Sequence, residues 1–297
     1  MVYAKSEFVR FSPDSGRVIA NLETAYEQWL DAKRQLARLP VSMFWRSVRG
    51  TEYLGVKLNS NSTGTTGGAR SPETEAEYEQ FHREKSELKL RVERADQLIN
   101  ERAGLYRNLR LPVLADRQGE LLRALDVEGV LRRDVLVVGT NAFCAYELLC
   151  GAKFPAGNEE TEDQAFEPMY SLTEQEWLLK GNPVAFVVAT VRRRACPVYV
   201  PDPRWMAVHK LWLSRKPERR ASKKPKDKRQ GDVLLDACRY FLADTYPLDL
   251  DFVFELPVEL RDLFDAWATE RGYDPTKPDS GLGDSPPAPS TKRRFTR

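Results

Sequence analysis

The chain has 297 residues, of which 41% are apolar and 30% are charged, so it can bury one large core or two modest ones. Its 46 Lys and Arg residues against 44 Asp and Glu leave a net charge of +2 at pH 7. This near-balance excludes a histone-like polycation and confines any affinity for nucleic acid to local patches.

The few histidines and cysteines exclude some kinds of metal site and disulfide framework. The two histidines, His82 and His209, cannot form a three-histidine zinc site. The four cysteines form no CxxC pair, which favours reduced thiols. The N-terminus lacks an apolar targeting segment, and no apolar run reaches the length of a membrane span. We therefore expect a cytoplasmic protein with no membrane partner.

Residues 1–112 are predicted to form a helical arm that carries a β-hairpin. Apolar residues recur at three- and four-residue steps from Val18 to Leu36, which predicts an amphipathic helix that ends at Arg38. The β-rich runs Phe44–Val48 and Thr51–Leu58 are joined at Arg49-Gly50, the pattern of a hairpin. The Gly, Ser, Thr and Asn residues of 59–70 predict a mobile loop.

A long helix begins at Ser71-Pro72 and extends for about 30 residues. Its apolar stripe is formed by Tyr78, Phe81, Leu88, Val92, Ala95 and Ile99. The stripe predicts packing on the Val18–Leu36 helix as an antiparallel pair, or on a second copy as a homodimer through residues 72–106.

Residues 113–205 have the pattern of an α/β core. A helix is predicted at Gln118–Leu131, followed by a buried strand over 134–140 and a helix over Asn141–Cys150. Two more strands are predicted at Val184–Thr190 and Val198–Val200.

Residues 206–270 are predicted to be helical, and residues 271–297 to form a disordered tail rich in Pro, Gly and Ser. Asp202-Pro203 opens a helix that extends through Leu213, and a further helix ends near Ala243. Between them, residues 215–229 hold nine Lys or Arg against two acids, which indicates either a track for a phosphate chain or a solvated connector.

Two segments carry candidate chemistry. Gly139-Thr140-Asn141 joins the predicted strand to a helix N-terminus, where backbone N–H groups can receive a phosphate; the alternative is an ordinary strand-to-helix connection. The acidic stretch 159–163 offers oxygen ligands for a divalent cation, or is a solvated loop. His209 is a single histidine on a helix, for which a structural role is the alternative to catalysis.

Three segments occur together in the order of a known family. They are Val-Leu-Val-Val-Gly-Thr-Asn-Ala-Phe-Cys-Ala-Tyr-Glu at 135–147, Thr-Glu-Asp at 161–163, and Val-Pro-Asp-Pro-Arg-Trp-Met-Ala-Val-His-Lys-Leu-Trp-Leu-Ser at 200–214. The chain resembles a bacterial family with the nucleotidyltransferase fold of the DNA polymerase beta superfamily over most of residues 1–250. The resemblance implies an α+β fold with a small mixed β-sheet core flanked by helices.

The resemblance also implies a site. In that superfamily a turn of small residues holds the triphosphate, and carboxylates hold two magnesium ions. It assigns nucleotide binding to Gly139, Thr140, Asn141 and Lys210, metal binding to Asp163, and catalysis to Asp163 and Glu167. Lys226-Asp227 resembles a basic-acidic pair that follows in the family. Ala165 stands where the family has its second aspartate, so the implied magnesium site is degenerate.

Two functions are therefore expected from different classes. The first is a protein that binds a nucleoside triphosphate and transfers a nucleotidyl group to a hydroxyl of RNA, a protein or a small molecule. The second is a non-catalytic nucleic-acid-binding or protein-assembly module on the same fold. Ala165, the long apolar stripe and the basic segment 215–229 favour the second.

Overall fold

The computed structural model of the protein describes residues 2–61, 63–131, 135–157 and 175–277. Its architecture is α+β, which confirms the predicted fold class. Two compact units are present. The arm unit comprises Glu23–Arg102, and the larger unit comprises Met1–Leu22 with Ala103–Arg297.

The arm unit contains most of two long helices, α1 (Ser15–Arg38) and α2 (Pro72–Asn108). The Lys85 ammonium donates to the carbonyl of Pro40 at 3.1 Å, and Arg91 pairs with Asp31 at 3.2 Å. As α2 proceeds from Lys85 to Arg91, its partners move back from Pro40 to Asp31, so the two helices are antiparallel within one molecule. Of the predicted stripe, Phe81, Leu88, Val92, Ala95 and Ile99 are buried, whereas Tyr78 is half-buried.

The arm unit also carries a three-stranded antiparallel sheet, formed by β2 (Ser42–Val48), β3 (Thr51–Lys57) and β4 (Thr65–Ala69). Arg49 and Gly50 both have positive φ, 52° and 81°, which are the angles of a tight hairpin turn. The hairpin prediction is confirmed. The prediction of a loop over 59–70 is wrong at β4. Strand pairing uses backbone N–H and C=O groups, which Gly and Thr residues also have, so this composition does not exclude a strand.

The larger unit is mostly helical. Over the described residues, its helices are α3 (Asp116–Val127), α4 (Phe143–Cys150), α5 (Pro203–Arg215), α6 (Lys224–Phe241), α7 (Leu250–Glu255) and α8 (Val258–Arg271). The same residues form antiparallel pairs of β1 (Val9–Arg10) with β5 (Ala152–Lys153), and of β6 (Val184–Ala189) with β7 (Ala195–Val200). A parallel bridge joins Leu114 to Thr190.

Several sequence predictions need correction in this unit. The strand predicted over 134–140 is not formed at 135–138, where a backbone hydrogen bond joins Val137 N to Tyr199 O at 2.7 Å. One hydrogen bond does not form the regular pairing of a β-strand, although the β-branched residues of this segment favour a strand. The helix α6 begins inside the basic segment, at Lys224, rather than after it. The predicted tail lies outside the described residues from 278 onward.

Close packing of α5 against α6 sets the position of their polar residues. A Cβ added to Gly231 would lie 2.7 Å from the side chain of Leu211 and 2.9 Å from the carbonyl of Ala207, so the helices approach to a distance that only glycine allows. The α5 helix begins at the N-cap Asp202, whose carboxylate accepts from the N–H of Arg204 at 2.9 Å.

Candidate functional site: a cavity at the Gly139–Asn141 turn

The turn at Gly139 leads into a helix, as predicted. Gly139 has φ 78° and ψ −155°, a conformation that is open to glycine and strained for other residues. A short 3-10 turn, Thr140–Ala142, then continues directly into α4. The Cys144 thiol donates to the carbonyl of Asn141 at 3.0 Å, which fixes the turn to the first residues of the helix.

A cavity of about 300 Å³ opens beside this turn. Thr140 and Asn141 both line it, so two of the predicted nucleotide-binding residues lie in one wall. The segment Arg110–Ala115 forms another part of the wall. The remaining lining residues are Phe143, Cys144, Glu147, Lys153, Phe154 and Pro155.

Two cations and one carboxylate line the cavity. The cations are Arg110 and Lys153, and the carboxylate belongs to Glu147. Glu147 accepts a hydrogen bond from the N–H of Phe154 at 2.8 Å, which joins α4 to the segment that follows β5. The formal balance of +1 favours an anionic ligand. Neither Arg110 nor Lys153 was predicted as a site residue, because a single surface cation carries no local sequence pattern.

Gln230 supports the turn from α6. Its side-chain amide Nε2 donates to Thr140 Oγ1 at 3.3 Å, and the residue is fully buried. Gln230 therefore fixes the orientation of a hydroxyl that lines the cavity. No local sequence pattern identifies Gln230, because it lies 90 residues from Thr140.

Lys210 is buried against an acid of α6. Its ammonium lies 2.9 Å from one oxygen of Asp227, whose other oxygen lies 2.6 Å from Arg219 Nε. Burial lowers the pKa of Lys210, and Asp227 opposes that shift. Burial acts to raise the pKa of Asp227, but Arg219 and Lys210 outweigh it and lower the pKa overall. Lys210 is absent from the cavity wall, and its predicted contact with a triphosphate stays a prediction.

His209, the neighbour of Lys210, accepts a hydrogen bond at Nδ1 from Trp177 Nε1 at 3.4 Å. Burial lowers the pKa of His209 to about 3, with the charge of Lys210 adding to the shift. The imidazole is therefore neutral at pH 7. The geometry gives this histidine a packing and hydrogen-bonding role.

Some cations of the basic segment 215–229 pair with buried acids. Arg219 pairs with Asp227, and Lys228 lies 2.8 Å from Asp232, an acid that is almost fully buried. These two cations balance buried acids of α6. The track for a phosphate chain stays a prediction for the segment.

The predicted carboxylates cannot be placed. Asp163 and Glu167 lie outside the described residues, as does Ala165. Among the described residues, no group of three or more His, Cys, Asp or Glu side chains could hold a metal ion.

A family match covers part of the chain. Residues 116–167 and 168–251 match the model of a family described as Nucleotidyltransferase. The match supports a nucleotidyltransferase family and a nucleotidyltransferase-type function for this part of the chain. No curated protein and no solved structure matches the chain. In the described residues, no helix has the length and apolar character needed to cross a membrane.

Proposed function

We propose that this protein binds a nucleoside triphosphate at the cavity and transfers a nucleotidyl group to a hydroxyl acceptor, on RNA or on a protein, in the cytoplasm. One observation carries the proposal: Thr140 and Asn141, assigned to phosphate binding by the resemblance, line the same cavity as Arg110 and Lys153. The family match over 116–167 and 168–251 supports a nucleotidyltransferase-type function.

The volume of the cavity fits the phosphates of a nucleotide rather than the whole molecule. About 300 Å³ is at the lower end of the range for small-molecule sites. Phosphates placed at the turn would accept a hydrogen bond from the Thr140 hydroxyl. Arg110 and Lys153 would balance their charge.

The proposed transfer is an in-line displacement at the α-phosphorus. The acceptor oxygen forms a bond to that phosphorus while the bond to the oxygen that bridges to the β-phosphate breaks, so pyrophosphate leaves. The acceptor hydroxyl releases its proton to water. Charge builds up on the leaving pyrophosphate, and the cations in the cavity wall stabilise it.

The carboxylate residues of the proposed site match the family pattern only in part. Asp163 is its proposed metal ligand and Glu167 its nearest second carboxylate, while Ala165 removes one ligand from the family pattern. The family match is divided between Glu167 and Pro168, inside this same segment. We therefore assign no step to magnesium, and expect transfer, where it occurs, to be slow.

Calorimetric titration tests the binding step. ATP, GTP, CTP and UTP are titrated with magnesium into the folded protein, and at least one is expected to bind. Arg110→Ala and Lys153→Ala should each weaken that affinity about tenfold, because each removes a charged partner. Lys277→Ala, which removes an exposed cation outside the cavity wall, is the control and should have no effect. Absence of binding by all four nucleotides would refute the proposal.

A second candidate is a nucleotide-binding module without catalysis, which Ala165 favours. Labelled nucleotides incubated with the protein, cell RNA and lysate separate the two. Incorporation that is lost in Asp163→Ala supports the enzyme. Nucleotide binding with no incorporation supports the module, and incorporation that persists in Asp163→Ala contradicts the proposed site.

A further inference from the structure

The sheet of the arm unit has two faces of different character. In the β2–β3 pairing, residues directly opposite each other share a face. The register pairs Phe44 with Gly55, Arg46 with Tyr53 and Ser42 with Lys57. We call this side the outer face; it consists of Ser42, Phe44, Arg46, Val48, Thr51, Tyr53, Gly55 and Lys57.

The opposite face is covered within the arm unit. Leu54 on that face is fully buried, and the Trp45 ring lies 5.6 Å from the ring of Tyr78 on α2. Arg70 lies over Trp45 and pairs with Glu52, the carboxylate of β3. The side of the sheet that carries Trp45 and Leu54 is therefore packed on α2, and the outer face is directed away from that helix.

The outer face combines accessible rings with cations. Arg46 is exposed, and Phe44, Tyr53 and Lys57 are half-buried. The Phe44 ring lies against the backbone at Gly55, where an added Cβ would be 2.8 Å from it. Arg46 donates to the hydroxyl of Thr66 on β4, which holds the guanidinium beside the sheet.

The charge of this face has one sign. Arg46 and Lys57 lie on it, and Arg49 is at the adjoining hairpin turn. None of the eight residues of the outer face is an acid, since Glu52 belongs to the opposite face. The protein as a whole is close to neutral, so this local charge sets the sign of the ligand.

We propose that the outer face of the arm sheet binds single-stranded nucleic acid. Phe44 and Tyr53 lie on neighbouring strands as diagonal neighbours, about 7 Å apart in such a pairing, and each offers a ring on which an unpaired base can stack. Arg46, Arg49 and Lys57 are available to the phosphates. A duplex hides its base faces, so it gains only the charge contacts.

The proposal is independent of the nucleotide cavity and is tested on the full chain by fluorescence anisotropy. The probes are a labelled 12-nucleotide single-stranded RNA, the same sequence as DNA, and the RNA duplex, at two salt concentrations. A single strand should bind more tightly than the duplex. The RNA and DNA arms identify which single strand is preferred.

Matched variants assign the binding to the outer face. Arg46→Gln/Lys57→Gln should weaken single-strand binding about tenfold and lower the salt slope by about 1.4, at about 0.7 per phosphate contact. Tyr53→Leu keeps apolar bulk, removes the flat ring and should weaken binding at least fivefold with the salt slope unchanged. Arg83→Gln, an exposed cation on α2, is the control. Circular dichroism confirms that each variant is folded.

Three results would overturn the proposal. Equal affinity of the wild type and the outer-face variants places any binding elsewhere. If Arg83→Gln weakens binding as much as the outer-face variants do, the binding depends on overall positive charge rather than on the outer face. Binding of an acidic peptide such as polyglutamate, with no binding of nucleic acid, assigns the face to a protein partner. Nucleotide binding at the cavity should be unchanged in every outer-face variant, so failure here is distinguishable from failure of the proposed function.

Discussion

Gln230 and Thr140 are 90 residues apart in the chain, and the Gln230 amide donates a hydrogen bond to the Thr140 hydroxyl at 3.3 Å. This bond joins α6 to the turn that lines the cavity. It makes the orientation of Thr140 depend on a helix that does not itself line the cavity.

Gln230→Leu should therefore lower both stability and nucleotide affinity. Loss of the donor removes a hydrogen bond to the half-buried Thr140 hydroxyl, at a cost of about 1 kcal/mol in the free energy of unfolding. Urea unfolding measures that cost. A double-mutant cycle with Thr140→Val should give a coupling energy of about 1 kcal/mol, and a coupling near zero would contradict the link. Gln97→Leu, an exposed glutamine on α2, is the control.

The second prediction concerns the buried ion pair of Lys210 and Asp227. Lys210→Met keeps most of the side-chain volume but leaves the Asp227 carboxylate with fewer partners. Such a change to a buried pair typically costs about 3–5 kcal/mol in the free energy of unfolding. Replacement of both residues, Lys210→Met/Asp227→Leu, should recover part of the loss.

Lys228→Met provides the comparison for Lys210→Met. Lys228 also pairs with a buried acid of α6, Asp232, but its own side chain is about half exposed. Water screens such a pair, so the change should cost less than about 1 kcal/mol. Similar losses for the two variants would show that the burial of Lys210 has no energetic importance.

The sequence predicted the elements better than it predicted the site. The helical periodicity of α1 and α2 and the Arg49-Gly50 turn are local patterns, so they identified their elements correctly. Residues 135–138 have strand composition without a strand, because strand formation depends on a partner edge that composition does not specify. The cavity joins 110–115, 140–147 and 153–155, and no single-residue pattern indicates that Arg110, Lys153 and Gln230 serve one turn.

The third prediction is a pH dependence that arises from His209. Its folded pKa of about 3 is below the unfolded value of about 6.5, so between these values the unfolded chain binds the extra proton. Stability should therefore fall as the pH falls through this window, by about 1.4 kcal/mol per pH unit. The groups that face His209 are Trp177, Lys210, Asp227 and Arg219.

Urea unfolding at pH 6.5 and pH 4.5 measures this dependence. His209→Gln keeps an acceptor for Trp177 and cannot titrate in this range, so the loss of stability over the two pH units should shrink by more than 2 kcal/mol. His82→Gln, a change at an exposed histidine, is the matched control for the loss of a histidine. An unchanged pH dependence in His209→Gln would contradict a buried neutral imidazole.

The last prediction concerns Gly139. Its φ of 78° and ψ of −155° fall in a region that is nearly confined to glycine, whereas an added Cβ would meet no atom within 4 Å. Gly139→Ala should therefore cost about 1–3 kcal/mol through backbone strain alone, and relief of that strain would rotate Thr140 away from Gln230. Nucleotide affinity should fall along with stability. Gly16→Ala, on α1, also meets no atom within 4 Å but has no positive φ, and helix propensity predicts a slight gain in stability. If Gly139→Ala were as stable as the wild type, the conformation at Gly139 would not be what holds Thr140 against the cavity.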